Sequence, residues 1–168
     1  IDMFLVRAGV TSSTTEVSRK FYASECVKEA LKRYPFSTNL ERGYTRLEVE
    51  EDFLVIGPFV LMTHVILNLL KNALTYVHSS SAPEVGLLVT QEKGVGVIEV
   101  TDNGRGIALE DQDRIFESFY TTSLAREGAG IGLKFCRTVV EELGGAISVV
   151  SEPEVKTVFR IRLISAPQ

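Results

Sequence analysis

The segment Phe59–Val77 constrains the fold of this chain most, because it is apolar around most of a helix and polar along a single stripe. The polar side chains occupy positions i, i+3, i+4, i+7 and i+8, which lie on one helical face. They are Asn68, Lys71, Asn72, Thr75 and Tyr76. Interruption by polar residues argues against a membrane span, and Pro58 suits the first turn of a helix. The pattern therefore predicts a core helix over residues 58–77.

Composition limits the function classes that such a helix can serve. The chain has 168 residues, 45% of them hydrophobic, so it can bury one ordinary core without disulfides or a structural metal. A formal net charge of -4 argues against a partner recognised through nucleic-acid phosphates and against an anionic membrane surface. The two cysteines, Cys26 and Cys136, form no CxxC pair, which predicts small buried side chains rather than a disulfide framework or a zinc site.

Two further helices are predicted, one on each side of the apolar segment. Residues 26–31 have helical spacing, with Ser24 as a candidate N-cap, and Pro35 stops the helix. Residues 130–143 form an amphipathic pattern that ends at the glycine pair 144–145. Both patterns place one apolar face toward a common core.

Alternation of apolar and polar residues predicts six strands, the first two joined by a short turn at residues 51–52. They are 47–50, 53–56, 85–92, 95–101, 146–151 and 157–164. The stretch 104–128 is rich in glycine and charge, with a short helical pattern near 111–119, and is predicted to be a long functional loop. Three main helices against a mixed, mostly antiparallel sheet predict an α+β fold, a two-layer α/β sandwich.

The two asparagines of the polar stripe indicate a ligand site. Asn is disfavoured in a helix interior and an unpaired buried amide is costly, so Asn68 and Asn72 need a polar partner. Amide oxygens suit Mg²⁺, a hard cation that takes oxygen ligands and shares them with phosphates. The alternative is a stripe that simply faces solvent.

Two glycine-rich segments add to this site. Asp102-Asn103-Gly104-Arg105-Gly106 follows a strand; its glycines allow close approach of a flat ligand, and its aspartate can accept a hydrogen bond from an exocyclic amine. A plain hairpin turn is the alternative. Gly128-Ala129-Gly130-Ile131-Gly132-Leu133 opens into a helix, where free amide groups form a phosphate site. This second segment fits neither the dinucleotide nor the P-loop pattern.

In this order, the motifs resemble those of the catalytic and ATP-binding domain of bacterial sensor histidine kinases, in the GHKL superfamily. The N box resembles Asn68-Leu69-Leu70-Lys71-Asn72-Ala73-Leu74, and the G1 box Asp102-x-Gly104-x-Gly106. The F box resembles Phe116-Glu117-Ser118-Phe119, and the G2 box Gly128-x-Gly130-x-Gly132-Leu133. The resemblance covers residues 24–163 and implies the Bergerat-type fold shared with gyrase, the large heat-shock chaperones and MutL, with a long ATP lid.

The resemblance implies a role for each matching residue. Asp102 binds the adenine amine, Gly104 and Gly106 line the base, and Tyr76 flanks it. Asn72 holds Mg²⁺, with Asn68 as a second ligand or the holder of a bound water, and these two are the expected catalytic residues. The chaperone and gyrase relatives carry Glu at the position of Asn68, so its absence favours phosphoryl transfer over ATP hydrolysis. The remaining expected ATP-binding residues are Lys71, Ile107, Phe119, Thr121, Thr122, Gly128, Gly130, Ile131, Gly132 and Leu133.

Two positions depart from the pattern of the family. Thr75 and Ser123 stand where many members have Lys. Lys71 can supply the positive charge that Thr75 lacks. Arg105 or Arg126 can supply the one that Ser123 lacks; the alternative is that both are solvated surface charges. The departures support one alternative function, a nucleotide-responsive interaction module without kinase activity. A protein-serine kinase of the anti-sigma type, built on the same fold, is another.

The histidines, His64 and His78, do not match the acceptor pattern of the family, His-Glu or His-Asp followed by Leu-x-x-Pro. The expected partners are therefore ATP, a separate dimerisation domain that bears the acceptor histidine, and a response-regulator receiver domain. Residues 1–15 are predicted as the end of a preceding dimerisation helix and a linker, and 16–168 as the catalytic domain. The expected location is the cytoplasmic part of a membrane-bound sensor, without direct membrane contact in this segment.

Overall fold

The computed structural model describes residues 18–77, 80–117 and 131–167. The strands of this part are β1 (Arg19–Tyr22), β2 (Thr45–Val49), β3 (Leu54–Gly57), β4 (Val85–Glu92), β5 (Val95–Asp102), β6 (Ala146–Glu152) and β7 (Lys156–Ile164). Five of them form one sheet in the order β2-β4-β5-β7-β6, and the other two form a separate sheet, β1-β3. The helices are α1 (Ala23–Arg33), α2 (Asn39–Gly43), α3 (Phe59–Val77), α4 (Leu109–Gln112) and α5 (Gly132–Glu142).

The larger sheet is mixed and mostly antiparallel, which confirms the predicted α+β fold. Only β2 and β4 run parallel among its described strand pairs. Lys93 and Gly94 connect β4 to β5 with φ angles of 51° and 82°, as a type I′ hairpin turn requires. The predicted strands 85–92 and 95–101 therefore agree with β4 and β5, except that β5 extends one residue further, to Asp102.

Helix α3 is the centre of the core. It packs against α1, α5 and strands β4 and β5. Eight apolar side chains on its inward face are buried: Met62, Val65, Ile66, Leu69, Leu70, Ala73, Leu74 and Val77. Burying each larger aliphatic side chain stabilises the fold by roughly 1.5–3 kcal/mol. By length and composition α3 could cross a membrane, but half of its apolar window is buried inside the domain, as expected for a core helix.

Strands β2 and β3 do not form the predicted hairpin. The carboxylate of Asp52, between them, accepts hydrogen bonds from the amides of Ser24 and Phe53, both at 3.0 Å, and the Ala23 amide donates to the Phe53 oxygen at 2.9 Å. These bonds take the chain away from the larger sheet to the start of α1. Strand β3 then pairs with β1, which the sequence analysis did not predict.

The same contact corrects the start of α1. Ser24 lies in the first turn of the helix rather than at its N-cap, and Asp52, distant in sequence, satisfies its amide. Helix α2 was also not predicted, and the helical pattern near 111–119 corresponds to a single turn, α4, that ends at Gln112. Short helices of this kind depend on tertiary contacts, so their sequence pattern is weak.

Both cysteines are buried, as predicted. Burial raises the pKa of the Cys26 thiol to about 12 and moves the pKa of Cys136 in the same direction. Their role is therefore that of small core side chains.

Candidate nucleotide-binding site

Asn68, on helix α3, lies beside the start of helix α5. Its Nδ2 donates a hydrogen bond to the backbone oxygen of His64 at 3.0 Å, which orients the amide. A Cβ placed on Gly132, the first residue of α5, would lie 3.0 Å from Asn68 Oδ1. The amide oxygen thus faces a helix N-terminus, where free backbone amides favour anions. The structure therefore places Asn68 of the predicted N box beside Gly132 of the predicted G2 box.

The rest of the polar stripe divides into exposed and partly buried residues. Lys71 and Thr75 are exposed, and the Thr75 hydroxyl donates to the backbone oxygen of Lys71 at 2.7 Å. Asn72 is partly buried one turn after Asn68. Across residues 18–77, 80–117 and 131–167, no hydrogen bond engages its amide group. Because Asn68 faces α5, the stripe is not simply a solvent-facing surface.

Asp102, at the end of β5, is buried, with 5% of its surface exposed. The Gly104 amide donates to its Oδ1 at 2.9 Å. Burial raises the pKa of this carboxyl from 3.8 to about 6, although the Gly104 hydrogen bond acts in the opposite direction. At neutral pH the group is therefore mostly ionised and retains acceptor capacity for a ligand donor.

Gly104 and Gly106 are required by backbone packing. A Cβ on Gly104 would overlap the backbone oxygen of Tyr76, near the end of α3. Gly106 has a φ of 73°, and a Cβ there would lie 2.6 Å from Pro153 Cα in the β6–β7 turn. From the sequence, close approach of a ligand was the expected reason for both glycines. The structure adds a second reason, since they let the G1 loop contact α3 and the β6–β7 turn.

Tyr76 and Arg105 stack beside these glycines. The Arg105 guanidinium carbon lies 4.3 Å from the centre of the partly buried Tyr76 ring, within cation–π range. The Arg105 backbone oxygen accepts a hydrogen bond from the Glu154 amide at 3.0 Å. Arg105 is exposed, as expected of a surface charge, and it also contacts α3 and the β6–β7 turn.

Asn103 holds the connection between α3 and β4 in place, a role that the sequence analysis missed. Its Nδ2 donates to the Ala82 oxygen at 2.7 Å, and its Oδ1 accepts from the Glu84 amide at 2.9 Å. An asparagine within a glycine-rich turn is a common local signal, but its partners are about 20 residues away in sequence. Only the fold identifies them.

Thr157 was also missed. It pairs directly with Asp102 in the β5–β7 register and is 3% exposed. Its hydroxyl oxygen lies 2.9 Å from Ser151 Oγ, which in turn accepts a hydrogen bond from the Ile107 amide at 2.9 Å. The sequence did contain a signal for Thr157: it is a polar residue on the inward face of a strand whose next inward positions are Phe159 and Ile161.

Part of the predicted site lies outside the described residues. This applies to Phe119, Thr121, Thr122, Gly128 and Gly130, and also to Ser123, Arg126 and His78. Ile131 and Leu133 are partly buried around the first residue of α5. Phe116, the first residue of the F box, is 2% exposed and meets Phe159 edge-to-face at 6.3 Å, with the Arg137 guanidinium 4.2 Å from its ring centre.

Two surface cavities, of about 560 and 330 Å³, lie elsewhere, between α1 and β2. They share Phe36 and Arg42, and none of their lining residues belongs to the predicted site. Among the described residues, no group of three or more His, Cys, Asp or Glu side chains could hold a metal ion.

Residues 59–167 match the family described as "Histidine kinase-, DNA gyrase B-, and HSP90-like ATPase". The match begins at the first residue of α3 and contains Asn68, Asp102 and Gly132. The chain belongs to this ATPase family. ATP is accordingly the ligand of the ATPase domain.

Curated proteins similar to the ATPase domain are sensor kinases. The CAI-1 autoinducer sensor kinase/phosphatase CqsS of Vibrio cholerae is 32% identical over 160 residues, which are 95% of this chain and 23% of that protein. The sensor-like histidine kinase SenX3 of Mycobacterium tuberculosis is 31% identical over 142 residues, 82% of this chain and 34% of that protein. The chain thus spans between 23% and 34% of the length of these relatives.

Solved structures give the same assignment. The mycobacterial sensor histidine kinase MprB superposes with a TM-score of 0.74 at 27% identity, covering 90% of this chain and 100% of that one. Full-length ShkA in complex with AMPPNP, at 20% identity, supports the fold alone, with a TM-score of 0.76 over 94% of this chain and 33% of that one. The ATPase domain is therefore of the histidine kinase catalytic type, as the motifs predicted.

Proposed function

We propose that the ATPase domain binds Mg-ATP and donates its γ-phosphoryl group to a histidine on a separate dimerisation domain. The observation that supports this is the arrangement of polar groups along α3. Asn68 faces the α5 N-terminus, and Tyr76, eight residues later, contacts Gly104 beside the buried Asp102. At 1.5 Å per residue, these positions lie about 12 Å apart along the helix axis. A nucleoside triphosphate laid along this face would meet an anion site at one end and a carboxylate at the other.

At one end, Asp102 recognises adenine. Its ionised carboxylate accepts a hydrogen bond from the exocyclic amine, and the Gly104 amide keeps one carboxylate oxygen in place. Tyr76 flanks the base, with Gly104, Gly106 and Ile107 forming the adjoining backbone. A carboxylate at this position disfavours a base that presents an acceptor instead of an amine.

At the other end, Asn72 and Asn68 hold the Mg²⁺ that accompanies the phosphates. The proposal is supported by the unengaged amide of Asn72 and by the orientation of Asn68 Oδ1. When bound, the ion would supply neutralisation of phosphate charge, and Lys71 adds a positive charge on the same helix face. The backbone of residues 131–133 contributes amides at the helix N-terminus. The expected contacts of Phe119, Thr121, Thr122, Gly128 and Gly130 complete this end.

In the reaction, an imidazole nitrogen of the acceptor attacks the γ-phosphorus in line. The bond from phosphorus to the β–γ bridging oxygen breaks, and ADP leaves with the electron pair. Catalysis of this step is mainly positioning and charge neutralisation. Because Asn68 cannot act as a base for water, transfer is favoured over hydrolysis. The phosphoryl group then passes to a receiver domain. The ATPase domain itself works in the cytoplasm as part of a membrane-bound sensor.

The test is phosphoryl transfer in trans. The chain is mixed with Mg²⁺, ATP labelled at the γ-phosphate and a supplied dimerisation domain, and the product is treated with acid. We expect label on the dimerisation domain that is lost in acid, since phosphohistidine is acid-labile and phosphoserine is not. A dimerisation domain whose acceptor histidine is replaced by glutamine is the control.

Two results would contradict the proposal. Acid-stable label would indicate a protein-serine kinase. ATP binding without any transfer would indicate a nucleotide-responsive module that lacks kinase activity.

A further inference from the structure

A hydrogen-bonded cluster outside the nucleotide motifs holds the end of the G1 loop. Gln112, the last residue of α4, donates through Nε2 to the Ile107 oxygen at 3.0 Å and to the Ser151 oxygen at 2.8 Å. Its Oε1 accepts from the Ser151 amide at 3.3 Å. We call Gln112 and Ser151 together the Gln112–Ser151 clamp. One side-chain amide thus joins the G1 loop to strand β6.

The hydroxyl of Ser151 extends the clamp to the strand beside Asp102. Ser151 Oγ accepts from the Ile107 amide at 2.9 Å and lies 2.9 Å from the Thr157 hydroxyl oxygen. Thr157 pairs with Asp102 in the register of β5 and β7. Both backbone polar groups of Ile107 and the hydroxyl opposite Asp102 are therefore fixed by the same two side chains.

Other contacts show why this part of the chain needs an external anchor. Helix α4 has four residues, too few to be stable without tertiary contacts. The loop before it is joined to the β6–β7 turn by the Glu154 amide and by the contact of Gly106 with Pro153. The clamp adds the connection after Ile107, so the G1 loop is held on both sides of Gly106.

We propose that Gln112 and Ser151 are positioning residues for the adenine end of the bound nucleotide. They do not touch the base; they hold the Ile107 backbone and the Thr157 hydroxyl at fixed positions relative to Asp102. The inference rests on the proposed binding of ATP at this site. A geometry that loosens by even a fraction of an ångström weakens recognition of a planar base through hydrogen bonds.

The experiment measures affinity for a non-hydrolysable ATP analogue and for the matching GTP analogue, well below the unfolding temperature of each variant. Gln112→Met keeps the length of the side chain and removes its hydrogen bonds, and Ser151→Ala removes the hydroxyl. We expect each to weaken ATP-analogue binding about tenfold and to reduce the preference for the ATP analogue over the GTP analogue. Ser151→Thr, which keeps the hydroxyl, should recover most of the affinity lost in Ser151→Ala.

Gln91→Met is the matched control, because its amide also bridges a loop but lies away from the site. Gln91 Nε2 donates to Glu51 Oε1 at 3.0 Å and to the Asp52 oxygen at 3.3 Å. We expect this variant to lower the unfolding temperature without changing the base preference. The double variant of Gln112 and Ser151 should lose little more affinity than either single variant, since both residues act as one unit.

The outcomes separate the two proposals. If the unchanged chain binds no ATP analogue, the proposed function is wrong and the positioning role falls with it. If the unchanged chain binds but the Gln112 and Ser151 variants keep its affinity and base preference, only the positioning role is overturned. The same conclusion follows if Gln91→Met changes the base preference as much as Gln112→Met does.

Discussion

The two ends of the proposed nucleotide site are built differently. At the adenine end, backbone contacts set the geometry: the Gly104 amide fixes Asp102, and Gly104 and Gly106 pack against Tyr76 and Pro153. At the phosphate end, the described groups are the side-chain amides of α3 and the first residues of α5. The adenine end is therefore shaped by the fold itself, whereas the phosphate end supplies oxygen ligands that a cation and phosphates can organise.

We expect the two ends of the proposed site to contribute differently to nucleotide binding. A rigid, buried carboxylate discriminates between bases because a mismatched donor or acceptor leaves a buried polar group unpaired. Amide oxygens at the phosphate end discriminate less between bases, since the cation and the phosphates are the same in every nucleoside triphosphate. Changes at the adenine end should thus reduce all nucleotide binding, and changes at the phosphate end should reduce mainly the part that depends on Mg²⁺.

The largest effect is expected from Asp102→Asn. The asparagine side chain has one oxygen instead of two, so it cannot present a second acceptor oxygen to the adenine amine. We therefore expect binding to be lost, or to be at least roughly a hundredfold weaker. Calorimetric titration with a non-hydrolysable ATP analogue measures it. Asp52→Asn is the matched control, because Asp52 also accepts two backbone amides but caps α1. Unchanged affinity in Asp102→Asn would refute the adenine assignment.

A smaller effect is expected from Gly132→Ala at the other end. The added methyl group would lie 3.0 Å from Asn68 Oδ1 and must displace the amide oxygen. We expect Mg-ATP binding about tenfold weaker, with affinity in EDTA less affected. Gly43→Ala is the control, because a Cβ there meets nothing within 4 Å. If both substitutions lower the affinity equally, contact between α3 and α5 is not part of the site.

The smallest effect concerns pH and distinguishes folding from binding. The pKa of Asp102 is raised from 3.8 to about 6, so the folded chain binds more protons than the unfolded chain between these values. Its contribution to the free energy of unfolding therefore falls as pH rises from about 4 to about 6. Binding needs the carboxylate, so affinity for adenosine, which has no phosphate to titrate, should rise over the same range.

Urea unfolding and adenosine titration across this range check the two trends. Asp102→Asn removes the titrating group, so its unfolding free energy should lack the decline seen in the unchanged chain. Parallel curves for the two proteins would contradict the buried, proton-binding state of Asp102.

Much of the fold follows from local patterns. The polar stripe of α3 and the alternation in β7, with Phe159 and Ile161 inward, are properties of neighbouring residues, and both predictions are confirmed. The predicted hairpin of β2 and β3 is wrong because Asp52 caps a helix that begins 29 residues earlier, at Ala23. No window of sequence around Asp52 contains that partner.

The candidate site likewise contains residues that local motifs indicate and residues that depend on partners distant in sequence. Asp102, Gly104 and the two asparagines could be proposed as site residues because their motifs are contiguous. The roles of Gln112, Ser151 and Thr157 could not, since each depends on partners joined only by the pairing of β6 with β7 and its contact with α4. Polar residues that support a site from another element leave little trace in the pattern of their own element.

The most direct test of the division of tasks is a calorimetric titration with a non-hydrolysable ATP analogue, in Mg²⁺ and in EDTA. The proteins compared are the unchanged chain, Asn72→Ala and, as control on the same stripe, Thr75→Ala. We predict that Mg²⁺ tightens binding to the unchanged chain and to Thr75→Ala. In Asn72→Ala, affinity in Mg²⁺ should fall to about the level measured in EDTA. An undiminished Mg²⁺ effect in Asn72→Ala would contradict the account.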